Sequence, residues 1–565
     1  MPGLSLGLGL GLSNFITLEE DGDYGMSGSK RKVITIGDSI MAANCTITSA
    51  GGNTITPTHA GMRGLINWFQ ALNGFPLGFR FENYDDTQIG GDNFAVAGDS
   101  FANVRTRITG ALNINGNILW ANIGTNDANA NATAQSIIAG WRWTIEKTIE
   151  SGKVAWMNTI FPRNNDAGQD FTTAQNNVRL EANAALRAME SEYKGQLIVF
   201  DGDICFLDTA TGKAKSEYFG DGLHPNALGA ATFAEQVMGP KLAKYYGSMK
   251  IKRSVPSEFN AVSAPLGNLV TNSDFTGTGG TVTGTNLSGV MPDSWAGGRT
   301  DGSHVTCVYS IESKTSLNGD AKNFVKMALS SAGAGVDNET PRISPSATIT
   351  TNVVAGQLYV AECEVIVPVA SSGANILRSL YVEGRDNGVN GPIARFFDVG
   401  YTFPVGGAKE YFPNDKERQI PLRSHPFRAN TTTGIMLRIN ADVDGTLTGA
   451  RDVYIGKPVI RPVEMHGDLN TAPQYVVATA GSTIYARGDR NLKLLLKPAA
   501  TLATLTVVMN PLPRNGDVFT LSSTQAVTAL TLTSAKTVNG AITAVTANTP
   551  VSYQYNETAD QWFKI

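Results

Sequence analysis

The sequence predicts a multidomain chain: an α/β three-layer domain, then a β-sandwich, then a small all-β unit. Three observations carry this reading. Between residues 31 and 247, short apolar runs alternate with segments of helical period. From 268 to 464, helical periodicity gives way to strand alternation and turn-rich loops. From 470 to 565 the chain is rich in Thr, Ala and Val and poor in large side chains. A length of 565 residues is also too great for one ordinary domain.

The apolar runs of the first zone are KVITIG, NFAVAG, NILWANIG, KVAWMNTI and QLIVFDG. Runs this short and continuous suit strands buried on both faces, as in a parallel sheet. Helical stripes lie between them. Met62, Leu65, Ile66, Phe69 and Leu72 recur at helical spacing. So do Ile137, Trp141, Ile145 and Ile149, with Gly152 as the stop, and Val178, Ala182, Leu186, Met189 and Tyr193, closed by Gly195. Strand–helix alternation implies right-handed crossovers with helices on both faces of the sheet.

Residues 248–267 have no clear period and read as a linker. In the second zone, GQLYVAECEVIVPVA and TGIMLRINADVDG alternate in strand fashion, which predicts a β-sandwich or jelly roll. In the last zone, ATLTVVMN, DVFTLSST and AVTALTLTSA are short strands with little to build a core. Such a unit is expected to need partner chains to bury enough surface. The first 30 residues open with MPGLSLGLGLGLSNF, which lacks the basic start and small-residue cleavage site of a signal peptide. They read as a flexible tail or as an anchoring peptide that orders on a partner.

Composition excludes several classes. The chain is 42% hydrophobic and 17% charged, as folded soluble proteins are, with 60 glycines for many turns. A net charge of −4 without a long basic run argues against nucleic-acid binding. No apolar stretch reaches about 18 residues, so no membrane span is expected. Cys45, Cys205, Cys307 and Cys363 form no CxxC pair. Neither a zinc site nor a disulfide framework is expected, although a Cys307–Cys363 bridge stays open. No metal or cofactor is implied.

Four short blocks carry the chemistry. VITIGDSIMA holds Gly37, Asp38 and Ser39. FAVAGDSFAN holds Gly98, Asp99 and Ser100. NIGTND holds Gly124, Thr125, Asn126 and Asp127. GDGLHP holds Asp221 and His224. A serine hydroxyl is a poor nucleophile and needs an adjacent base. Only His59 and His224 lie in the α/β zone. Asp221 precedes His224 closely enough for one tight turn to bring its carboxylate to the ring, fixing the tautomer and stabilising the imidazolium. Pro225 favours an extended His224 backbone, and Asn226 can cap a following helix. His59 reads as a polar cap or surface residue, with a substrate contact left open.

In this chain order the blocks resemble the SGNH hydrolases, the GDSL esterase family, over residues 31–247. That family draws Ser, Gly, Asn and His from four blocks in turn. The resemblance implies Ser39 as nucleophile, His224 as base and Asp221 as its partner. It implies an oxyanion hole from the N–H groups of Ser39 and Gly98 and the Asn126 amide. The second Gly-Asp-Ser then serves through Gly98, and Ser100 is a cap or turn hydroxyl. Asp38 is expected to brace the nucleophile turn, and Asp127 to cap the helix that follows it. The lipase elbow G-x-S-x-G is absent. With the nucleophile near the domain's N-terminal edge, this favours a flavodoxin-like sheet, whose ligands bind at the carboxyl ends of the strands.

NLVTNSDFTGTGG and PDSWAGG resemble the opening of galactose-binding-like jelly rolls and carbohydrate-binding modules. The stretch from GDVFTLSST to QWFKI is similar to C-terminal domains of bacteriophage tail fibres and tailspikes, which trimerise. Trp295 and Tyr401 are candidates for stacking on sugar rings, against a plainer reading as core. Together these resemblances imply a homotrimeric virion protein that deacetylates bacterial surface polysaccharide, with residues 1–30 attaching it to a tail or baseplate protein. A secreted bacterial carbohydrate esterase and a non-catalytic adhesin are the alternatives.

Overall fold

The computed structural model describes residues 31–47, 55–79, 92–114, 116–248, 258–260, 267–387, 393–398, 409–429, 434–463, 474–476, 478–486, 491–509, 513, 516–534 and 536–565. Residues 1–30, most of the 248–267 linker and Tyr401 lie outside them.

Four of the five expected apolar runs form a parallel sheet: β1 (Val33–Gly37), β4 (Ile118–Asn122), β5 (Val154–Asn158) and β6 (Leu197–Phe200), in the order β1-β4-β5-β6. The fifth run lies on the free edge of β1: Thr35 N–H donates to Asp92 O and Phe94 N–H donates to Thr35 O. That placement gives the strand order expected of a flavodoxin-like sheet. The strands bury both faces. Ile34, Ile36, Leu119, Ala121, Met157 and Val199 pack on one side, against α3 (Phe101–Asn113), α5 (Ala134–Glu150) and α6 (Thr173–Glu192). Val33, Trp120, Trp156 and Phe200 pack on the other, against α2 (Leu65–Asn73) and the helix Ala227–Phe233. Two short helices, α1 (Ser39–Ala42) and α4 (Thr125–Asn129), follow β1 and β4 directly.

The second zone is a sandwich of two large sheets. One runs in space through Leu287–Gly289, Thr306–Thr315, Ala321–Ala332, Thr448–Pro462, Leu358–Val367 and Arg418–Arg423. The other runs through Ile393–Asp398, Leu377–Asp386, Ile435–Val443, Thr340–Pro345, Trp295–Asp301 and Thr281–Val282. This second sheet does not stop at the domain border. Strands β2 (Cys45–Ile47) and β3 (Ile55–Gly61), which belong to the α/β zone in sequence, extend it, and β3 pairs in parallel with Ile393–Asp398. Trp295 is fully buried, edge-on to Phe275 at 4.9 Å, so it is a core residue and not a sugar platform. All four cysteines are buried and none is in a disulfide, Cys307 and Cys363 included.

Aromatic packing closes the seam between the two zones. Trp68 of α2 lies 4.4 Å from the Phe397 ring and 5.6 Å from Phe412, and its indole N–H donates to Met62 O. Phe75 meets Phe396 at 5.1 Å. One apolar core therefore runs from the hydrolase helices into the sandwich.

The C-terminal unit is a coil of parallel rungs. Gln474–Val476, Asn491–Leu496 and Val518–Ser523 stack in one parallel sheet, and Thr483–Tyr485, Leu505–Val508 and Leu530–Thr533 stack in another. The antiparallel pair Val551–Asn556 and Gln561–Lys564 finishes the first sheet. The expected shortage of core is not what the fold shows. Leu494, Leu496, Val507, Phe519, Leu521, Tyr553 and Trp562 are buried within the one chain, because rungs in register stack modest side chains on one another.

Trp68→Ala should lower the unfolding free energy by about 3–5 kcal/mol, the usual cost of a large aromatic-to-alanine cavity. Denaturant titration should show the α/β and sandwich signals shifting together; independent transitions would disprove the shared core.

Candidate active site

The site begins with a glycine. Gly37 ends β1 with φ +140, and a Cβ there would overlap the Asn122 carbonyl oxygen on the neighbouring strand. The close approach lets Asp38 N–H donate to Asn122 O at 3.1 Å and turns the chain sharply into α1. Asp38 is the N-cap of α1, its carboxylate accepting from Ile40 N–H at 3.0 Å. It also accepts the Asn122 amide, Asn122 accepts the Asn158 amide at 2.9 Å, and Asn158 accepts the Trp120 indole N–H at 2.9 Å. This buried chain of polar groups crosses three strands beneath Ser39. Burial pushes the Asp38 carboxyl up to about 7, against the lowering pull of those hydrogen bonds and of Arg163.

Ser39 opens α1 and is almost fully buried. His224 Nε2 lies 2.7 Å from Ser39 Oγ, and Nδ1 lies 2.7 Å from Asp221 Oδ2. Asp221 Oδ1 accepts the N–H groups of Leu223 at 3.0 Å and His224 at 2.8 Å, the tight turn the spacing predicts. Burial acts to raise the Asp221 carboxyl, but the ring and backbone hydrogen bonds outweigh it and hold the group at about 2. Asp221 is therefore ionised near neutral pH, Nδ1 carries the proton, and Nε2 accepts from the serine hydroxyl. Asn226 caps the next helix, its Oδ1 accepting from Gly229 N–H at 2.8 Å.

The three oxyanion candidates are tied to the same region. Val96 N–H donates to Gly37 O, and the Asn126 amide donates to Asp99 O at 2.8 Å, its second N–H having no acceptor among the described residues. Gly98 has φ +84 and open space where a Cβ would stand. Its glycine is needed for the left-handed backbone conformation. Ser100 is the N-cap of α3, its hydroxyl donating to Asn103 Oδ1 at 2.7 Å, so it stands apart from the relay. Asp127 does not cap its own helix. Its carboxylate accepts Phe101 N–H at 3.3 Å and fixes the start of α3 instead. The His59 side chain is not among those described; its backbone pairs with Arg395.

Two residues escaped the sequence. Arg163, at the carboxyl end of β5, is buried with its guanidinium donating to Asn129 Oδ1 at 3.0 Å and to Thr125 O and Oγ1 at 3.1 and 2.9 Å. It grips α4 on both sides of Asn126. Burial lowers its pKa to about 10, against the raising effect of Asp38 and Asp221. Glu410 comes from the sandwich. Its carboxylate accepts Ala227 N–H at 2.6 Å, at the start of the helix after His224, and Arg63 Nε at 2.5 Å. Arg63 in turn lies beside Gly220 of the histidine loop. For Arg163 the available signal was a charged residue at a strand's carboxyl end; for Glu410 there was none.

Residues 35–232 match the GDSL-like Lipase/Acylhydrolase family. The chain carries a GDSL-type carboxylic-ester hydrolase domain. No curated protein matches the chain. Solved structures similar to it include an acetylxylan esterase from Geobacillus stearothermophilus, 16% identical over 40% of this chain and 100% of that one, with a TM-score of 0.29. Another is a GDSL-like lipase from Bacteroides thetaiotaomicron, 12% identical over 38% of this chain and 88% of that one, with a TM-score of 0.28.

Although Glu410 lies outside the GDSL domain, Glu410→Ala should lower kcat about tenfold with KM nearly unchanged, because the helix start after His224 loses a charge-assisted hydrogen bond. Glu410→Gln, which keeps an acceptor for Ala227 N–H, should restore most of it; equal losses in both variants would refute the assignment. The Asp38 carboxyl is raised from 3.8 to about 7, so the stability it contributes is fully present below about pH 4 and is lost as pH rises through 7. Asp38→Asn should therefore gain stability relative to wild type between those values, as urea unfolding at pH 5 and pH 8 would show.

Proposed function

We propose that this chain is an O-acetyl esterase that removes acetyl groups from bacterial surface polysaccharide, a capsule or O-antigen, as part of a phage tailspike. The observation that carries the esterase half is the unbroken relay Ser39–His224–Asp221, with 2.7 Å at each step. In that geometry Ser39 Oγ attacks the ester carbonyl as its proton passes to His224 Nε2. Asp221 stabilises the imidazolium that results. The N–H groups of Ser39 and Gly98 and the second amide N–H of Asn126 receive the oxyanion. His224 then protonates the leaving sugar hydroxyl, and water, activated by the same imidazole, releases acetate.

The polysaccharide half rests on what the hydrolase is built into. The sandwich shares a sheet and a core with it and reaches the histidine loop through Glu410. A substrate held on the sandwich is thereby held at a fixed offset from Ser39. Acetyl is favoured because it is the common ester of polysaccharides. The tailspike assignment, the homotrimer and the attachment through residues 1–30 rest on the sequence resemblances of the accessory zones.

The test is acetate release from O-acetylated bacterial polysaccharide by wild type, Ser39→Ala and Ser100→Ala. Loss of release in Ser39→Ala with near-normal Ser100→Ala is expected. If neither change matters, the relay is idle and the chain is a glycan-binding adhesin.

A further inference from the structure

The two outer faces of the sandwich differ in charge balance. On one, lysines and acids pair off: Lys326 with Asp452 at 2.8 Å and Glu312 at 3.6 Å, and Lys314 with Glu312 at 3.3 Å. On the other, arginines crowd around one carboxylate. Strand register places Arg342, Arg385, Arg395 and Arg438 with Glu383 on the same face: Arg438 and Arg395 stand opposite Glu383 on its two sides, and Arg342 stands opposite Asn440, the next residue along that face from Arg438. That this face points outward follows from Gly384, whose missing side chain would meet Phe427 and Ala361 in the core.

Glu383 serves three of the guanidiniums. Arg395 Nε lies 2.9 Å from one carboxylate oxygen, and Arg438 and Arg385 lie 3.6 and 3.8 Å from the other. Arg342 has no ion pair among the described residues, and Arg385 Nε has no acceptor there. Asn440, 1% exposed in the same row, gives its oxygen to Thr300 but leaves Nδ2 without an acceptor. All four arginines are half-buried. Burial, and next to it repulsion between the guanidiniums, push Arg342 and Arg438 below the usual guanidinium range. A folded chain that tolerates such crowding keeps unused donors for an anion from outside.

We propose that this face binds the carboxylate groups of an acidic polysaccharide, the polymer whose esters the hydrolase domain removes. The proposal rests on the esterase reading for the identity of the polymer, though not for the binding. Guanidiniums fork onto carboxylates with two parallel hydrogen bonds, and Glu383 already draws one such hydrogen bond, from Arg395 Nε. The Tyr381 ring, buried and 5.0 Å from the Arg395 guanidinium, lies in the same row. The strand next beyond Arg395 is β3, whose chain continues to Arg63 beside the histidine loop.

The test uses the full chain in calorimetric titrations with alginate, hyaluronate and polysialate as carboxylate-bearing probes and dextran as a neutral one. At least one acidic glycan should bind, more weakly at high salt, and dextran should not. The double variant Arg342→Gln/Arg438→Gln should bind that glycan at least about tenfold more weakly, while its turnover of p-nitrophenyl acetate stays at the wild-type rate, showing that it is folded. Unchanged affinity in the double variant, failure of all three acidic probes, or equal binding of dextran overturns the proposal. So does self-association of the wild type that the double variant abolishes, which would make the face a contact between copies. If the face binds as expected but no polysaccharide yields acetate, the esterase reading fails and the binding face stands.

Discussion

The rest of the molecule depends on the seam where Trp68 enters the aromatic cluster of Phe397 and Phe412. On one side of it lies the hydrolase sheet; on the other, two strands of that same domain have become strands of the sandwich. The seam is largely apolar, and charged pairs cross it: Arg63 meets Glu410 at the histidine loop, and Lys416 meets Glu235. A buried carboxylate is costly unless it is fully hydrogen-bonded. Glu410 meets that condition only while both domains are docked. The position of His224 is thus conditional on a neighbour that the fold of a GDSL domain alone does not supply.

Within the hydrolase, catalytic geometry is assembled from strand ends. Gly37 brings β1 against β4, Asp38 caps the nucleophile helix, and the Asn122–Asn158–Trp120 chain carries that cap into the core. Arg163 does the corresponding work for α4 from the next strand along. Ser39 and Asn126 are each held by a short helix directly after a strand and locked by a buried polar contact. Preorganisation of this kind is what an oxyanion site requires.

How much of this was legible follows from how far apart in sequence the partners lie. The strands β1, β4, β5 and β6 of the sheet, the long helices and the relay were readable, because apolar runs, helical stripes and the Asp221–His224 turn are local signals. Asp127 was misread because a carboxylate at a helix start caps its own helix in the simplest case; here it reaches across to Phe101. Glu410 and β3 were invisible: their partners lie in a different composition zone, and ITPTHAG has no alternation strong enough to announce a strand. The C-terminal coil was seen as strands but not as a coil, since its core is built from stacking between turns and not from the size of any residue.

The coil has one more consequence. Each turn meets only the turns above and below it, through parallel ladders. Insertion or loss of a whole turn leaves every other ladder with an equivalent neighbour. Length along the coil is consequently the freest dimension of the molecule to evolutionary change. The length of the coil can be reset in steps of one rung, without any substitution in the hydrolase or in the sandwich joined to it.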